Sequence, residues 1–134
     1  MRYSVLEHTA DIMIEATGRD LAECFSNAAY ALFDQMVDAS MVQDREQVTF
    51  EVVSDDLESL FYNFLSEFLY LHDARRLVFS RFDVTLSKDK ATCVAHGERY
   101  DAARHEGRRE VKAITYHMLE VDPSIPKVRV IFDI

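Results

Sequence analysis

The order of hydrophobic patterns predicts an α+β domain in which two amphipathic helices pack on a mostly antiparallel sheet. Three observations predict it. Most apolar runs alternate with period two, as strands do. Only two runs recur at three- and four-residue steps, as helices do. The order is strand, strand, helix, strand, helix and then four strands, so helices do not alternate regularly with parallel strands. The 134 residues, nearly half of them hydrophobic and including nine Phe and six Tyr, suit one domain spanning residues 1–134 with a single core.

Tyr3 and Val5, then Ile12, Ile14 and Ala16, mark two short strands around the polar stretch Glu7-His8-Thr9-Ala10-Asp11. Thr17-Gly18 ends the second. Asp20 followed by Glu23 resembles a capping box. It opens a helix whose buried stripe is Leu21, Cys24, Phe25, Ala28, Leu32 and Met36. Val48, Phe50 and Val52 alternate as a strand. Ser54-Asp55-Asp56 starts the second helix, with acidic groups at its positive end. Its stripe of Leu57, Leu60, Phe61, Phe64, Leu65, Phe68 and Leu71 is the strongest in the chain. Core packing is preferred there over aromatic stacking on a cofactor. Val78 to Leu86 and residues 91–100 form a hairpin across Lys88-Asp89-Lys90. A charged connection covers 101–110. Val111 to Val121 and Val128 to Ile134 then form a final hairpin, with both prolines in the turn Asp122-Pro123-Ser124-Ile125-Pro126.

The charge balance is acidic, 24 Asp and Glu against 15 Lys and Arg, for a formal net charge of −9. No basic arm or stripe is present, so direct binding to a nucleic-acid backbone is not expected. Acidity either serves solubility alone or directs the chain to a basic protein partner or a cation. Cys24 and Cys93 belong to no CxxC pair and read as buried thiols in a reducing compartment. No signal peptide is expected, since Met1-Arg2-Tyr3 leads straight into a strand-like segment, and no apolar stretch is long enough to span a membrane. A cytoplasmic location is expected.

None of the motifs GxSxG, HExxH, GxxxxGK[ST] or GxGxxG occurs, and the three glycines at 18, 97 and 107 are too scattered for a phosphate-cradling loop. Three stretches remain. In His8-Thr9-Ala10-Asp11, Asp11 reads either as a turn residue bonding its own backbone or as a ligand. At Phe132-Asp133-Ile134, the Asp133 side chain and the Ile134 carboxylate put two negative groups close together, which a cation or a donor must relieve. With Asp11 they form an all-oxygen set suited to Ca²⁺ or Mg²⁺. The plainer alternative is a frayed terminus, against which the apolar run Val128, Val130, Ile131 and Phe132 argues. In Val111 to His117, alternation puts Lys112, Ile114 and Tyr116 on one face and Ala113, Thr115 and His117 on the other. Lys112 offers a cation to a phosphate or carboxylate, or guards a strand edge. His117 ligates metal or moves a proton, or is a half-buried, hydrogen-bonded histidine. His72, His96 and His105 read first as structural or surface residues.

These stretches, taken together and in order, resemble the archease family across nearly the whole chain. The matches are His8-Thr9-Ala10-Asp11-Ile12, the helix from Leu21-Ala22-Glu23, Leu65 to Asp73, Phe79 to Phe82, Gly97-Glu98, Val111 to His117 and Ile131 to Ile134. Met13 departs from a frequent glycine without removing a proposed ligand. The resemblance implies a non-enzymatic accessory factor of the RtcB-type RNA ligase, which joins RNA ends in tRNA splicing with GTP and a divalent metal. Such a factor promotes guanylylation of the ligase, supports repeated turnover and broadens its nucleotide use. The resemblance also implies a metal site at Asp11, Asp133 and the carboxylate of Ile134, which replaces the turn reading of Asp11. It links Lys112 with ligase activation, with His8 and His117 as further candidates. Two other classes stay open: a chaperone or specificity modulator of an RNA methyltransferase, and a metal-dependent hydrolase using His8, Asp11 and Asp133. The hydrolase reading is weakest, because it lacks a dedicated general base and open metal positions.

Overall fold

A computed structural model describes residues 2–7 and 11–134. Along the chain run β1 (Ser4–Glu7), β2 (Asp11–Thr17), α1 (Leu21–Met36), a short 3-10 turn (Ala39–Met41), β3 (Glu46–Val53), α2 (Leu57–Arg75), β4 (Leu77–Leu86), β5 (Lys90–Arg99), β6 (Ala113–Asp122) and β7 (Lys127–Asp133). The strands form two antiparallel sheets, ordered β1-β2-β7-β6 and β3-β5-β4. The expected α+β class holds, with the strands divided between two sheets. Alternation reports which side of a strand is buried and not which sheet it joins.

Each helix bridges the two sheets. α1 packs on β2 and β7 of one and on β4 of the other, and α2 packs on β6 of one and on β3, β4 and β5 of the other. Asp20 caps α1 by accepting from the Glu23 backbone N–H at 2.8 Å. The Glu23 side chain reaches back to the Arg19 N–H at 3.0 Å, which completes the box one residue earlier than expected. Asp56 caps α2 through the Ser59 N–H at 2.7 Å. α2 ends at Arg76, whose left-handed φ of 58° turns the chain sharply into β4.

Phe25, Phe33, Phe61, Phe64, Phe68 and Phe79 are fully buried. Phe68 sits at the centre, edge-to-face with Phe33, Phe64 and Phe82 at 5.1–5.7 Å between ring centroids. These rings lie in the core that the two sheets share; the stripe pattern predicted their core packing, on a single sheet. Gly97 lets β4 and β5 come together, since a Cβ there would stand 1.9 Å from the Val78 carbonyl oxygen. Cys24 and Cys93 are buried free thiols, and burial pushes the Cys93 thiol up to about 12. Among the described residues no helix is long and apolar enough to cross a membrane.

Candidate functional site

The four-stranded sheet brings two distant parts of the chain together at one end. Asp11, the first residue of β2, pairs directly with Asp133, the last of β7. Asp133 also pairs with Ala113, the first residue of β6. The preceding Lys112 donates its backbone N–H to the Asp133 carbonyl at 2.7 Å. Directly paired residues in an antiparallel ladder project to the same face with Cβ atoms about 5 Å apart. Two carboxylates are thereby held side by side, with Lys112 one strand away.

The row immediately behind this tip is apolar and rigid. Ile12 pairs with Phe132 and Ile114 with Phe132 from the other side, and all three are buried. Ile131, Val130 and Val128 continue the burial along β7, so this strand is docked between two neighbours and not frayed. Asp133 and Lys112 are exposed, while Asp11 and Ile134 are half-buried. Facing like charges are destabilising unless a cation or donor relieves them. The donor set is oxygen only, which suits a hard cation such as Ca²⁺ or Mg²⁺. Among the described residues no three side chains of His, Cys, Asp and Glu converge as a metal cluster. Ile134, next to Asp133 and half-buried, adds backbone oxygen beside the pair.

Of the other residues singled out from the sequence, His8 lies outside the described residues. His117 does not join the tip. Thr115 pairs with Ile131 and Glu120 with Arg129, so residues 116–119 of β6 bulge out opposite Val130 alone. The alternation predicted for this strand holds as far as Tyr116, whose ring lies parallel to that of Tyr62 on α2 at 4.1 Å. Beyond it His117 and Met118 are both exposed.

Two features escaped sequence reasoning. One is a cavity of about 440 Å³ between the ends of α1 and α2 and segment 107–111, lined by His72, Arg76, Tyr100 and Arg109 among others. Its neighbour Arg108 is tied to Asp34 at 3.2 Å and to the Asp34 carbonyl at 2.8 Å. The other is a buried cluster around Glu98, which is 2% exposed. Glu98 accepts two hydrogen bonds from Arg104 at 2.8 and 2.5 Å and one from the Gln43 backbone N–H at 2.7 Å. His105 completes it: Nδ1 accepts from the Asp101 N–H at 2.8 Å while Nε2 faces Glu98 at 2.8 Å. That pattern selects the tautomer protonated on Nε2. The Arg104 guanidinium holds the Glu98 carboxyl down at about 2. The signal available in the sequence was His105 inside a run of charges, which reads as surface.

Comparison with known proteins places these features in context. Residues 3–134 match the model of the Archease protein family. The chain is 45% identical over 125 residues to protein archease of Pyrococcus abyssi, covering 90% of this chain and 88% of that one. It is 41% identical over 138 residues to protein archease of Methanothermobacter thermautotrophicus, covering 98% of each. The solution structure of Methanobacterium thermoautotrophicum protein 1598 superposes with a TM-score of 0.87 at 38% identity over 99% of both chains. The crystal structure of a Thermotoga maritima archease, described as a possible chaperone, shares the fold with a TM-score of 0.67 at 24% identity, covering 96% of this chain and 94% of that one.

Proposed function

The chain belongs to the archease family, and from that membership we propose that it is a non-catalytic activator of the RtcB-type tRNA-splicing ligase. In this reading it promotes guanylylation of the ligase, sustains multiple turnover and broadens the nucleotides the ligase accepts. The observation that supports it best is the direct pairing of Asp11 with Asp133 beside Lys112, on a sheet end fixed by buried apolar neighbours.

Asp11, Asp133 and the carboxylate of Ile134 are the residues that would hold a divalent cation, Ca²⁺ or Mg²⁺. Bound there, the cation supplies positive charge to phosphate oxygens. Lys112, exposed at the same sheet end, adds an ammonium. The buried row behind the tip holds the backbone of the carboxylate pair in place, so little freedom is lost there when a partner meets it. With a net charge of −9, the isolated chain repels GTP. It acts on nucleotide only together with the ligase.

The test is ligation by the cognate ligase at substoichiometric amounts. Wild-type protein is expected to convert a stalled ligase into one with many turnovers and to speed the build-up of covalent guanylate. Asp11→Ala and Lys112→Ala are expected to remove at least nine-tenths of that stimulation with unchanged circular dichroism. Stimulation of a pre-guanylylated ligase in a single turnover, with guanylylation unaffected, would move the action to RNA joining and refute this assignment. Hydrolysis of generic phosphate esters by the pure protein would instead favour an enzyme.

A further inference from the structure

The bulge in β6 is built to hold one shape, and nothing in the tip requires it. Residues 116–119 stand opposite the single residue Val130. Met118 adopts φ 57°, in the left-handed region, where a side chain with a Cβ is strained. The Arg129 guanidinium fixes this turn from the neighbouring strand. Nε donates to the Met118 carbonyl at 3.0 Å, and Nη2 pairs with Glu120 at 3.1 Å. On the other side, Tyr62 braces Tyr116 by parallel stacking.

The result is a convex knob that presents large apolar groups to solvent: Tyr116 is 53% exposed and Met118 46% exposed. It stands on an edge strand, since among the described residues β6 has β7 as its only strand neighbour in the sheet. A bulge already protects an edge from pairing with another strand, and that purpose needs neither exposed Tyr and Met nor a left-handed residue. Strain and exposed apolar side chains held together by dedicated contacts mark a recognition element. Tyr is among the side chains that dominate binding energy at protein interfaces.

We propose that the 116–119 knob is a docking anchor that seats in an apolar recess on the surface of the ligase, beside the basic site that receives the carboxylate tip. This rests on the ligase-activator reading above. The knob and the tip share β6: Lys112 precedes it and Tyr116 lies within it, about 13 Å farther along at strand rise. By period two the tip carboxylates, in register with Ala113, and Tyr116, three residues on, project to opposite sides of the sheet, so a partner that meets both wraps round the β6 end of it. Complementarity of charge selects the partner. The acidic tip steers towards a positively charged site, and a site that handles GTP and RNA ends is basic. A nucleic acid is a poorer fit, because Arg129 and Lys127 on the neighbouring strand are engaged with Glu120 and Glu15.

The experiment measures affinity of the purified ligase of the same organism for wild-type protein and for Met118→Gly, Tyr116→Phe and Tyr116→Ala, alongside melting temperatures. Met118→Gly removes the side chain and relieves the left-handed strain, so its melting temperature is expected to hold or rise while affinity falls at least tenfold. Tyr116→Phe keeps the stacked ring and is expected to retain affinity, whereas Tyr116→Ala loses it. Wild-type binding matched by Met118→Gly and Tyr116→Ala overturns the knob and leaves the activator reading standing. Absence of any wild-type binding or stimulation overturns both.

Discussion

At Glu98 a carboxylate has been taken out of water and surrounded by donors from three parts of the chain. A buried charge of this kind is strongly destabilising when it loses its partners. Here the partners are Arg104, His105 and the Gln43 backbone N–H. Because the folded carboxyl titrates near 2, below the usual value of about 4.3, its contribution is present in full above the unfolded value. It is lost as pH falls through the folded one. Glu98→Gln is therefore expected to lower stability by about 3 kcal/mol at pH 7, measured by urea unfolding, with the gap from wild type closing between roughly pH 4.5 and pH 2. A constant gap across that range would show that the carboxylate charge is irrelevant. At the tip the sign of the electrostatics is opposite. Asp133→Asn removes one of two facing negative charges. In chelator it is expected to raise stability slightly, by up to about 1 kcal/mol, while abolishing most of the rise in melting temperature that Ca²⁺ or Mg²⁺ gives wild type. A metal-induced rise of equal size in the variant would remove Asp133 from the site.

At the level of elements, legibility followed from how local each determinant is. The helices were readable because caps and stripes lie within a few residues: Asp20 with Glu23, Asp56 with Ser59, and Phe61, Phe64 and Phe68 on one side of α2. The tip was readable in part. Asp133 and Ile134 adjoin in sequence, but the partnership of Asp11 with Asp133 depends on β2 and β7 being neighbours, and that came from family resemblance and not from spacing. The two-sheet division was invisible because Val94 and Val130 alternate with their neighbours in the same way, although one joins β3 and β4 and the other β2 and β6. The bulge was invisible because period two in Lys112, Ile114 and Tyr116 gives no notice that the register breaks after Thr115. The Glu98 cluster was hidden by its own composition. A stretch such as Asp101 to Glu110 reads as solvated until Arg104 and His105 are seen folded back onto β5.

Across the whole molecule, one aromatic centre serves both sheets. Phe68 contacts Phe33 from α1, Phe50 from β3 and Phe79 and Phe82 from β4. Truncation there opens a void shared by several elements, with little freedom for any one of them to close it. Phe68→Ala is expected to cost about 4 kcal/mol, measured by denaturant unfolding. The tip lies on the four-stranded sheet, which the same core supports through α1 and α2. A loss below 1 kcal/mol would mean that the two sheets are stabilised independently.

The pairing of Asp11 with Asp133 also sets a schedule. β7 lies inside its sheet, flanked by β2 and β6, yet it is made after β1 to β6. At a translation speed of roughly 5–20 residues per second, Asp11 leaves the ribosome many seconds before the strand that faces it exists. Until then β2 carries an open edge, and a nascent chain lacks the ladder that aligns the two carboxylates. Alignment of Asp11 with Asp133 is thus a late event of folding, because it waits on a strand made after β1 to β6.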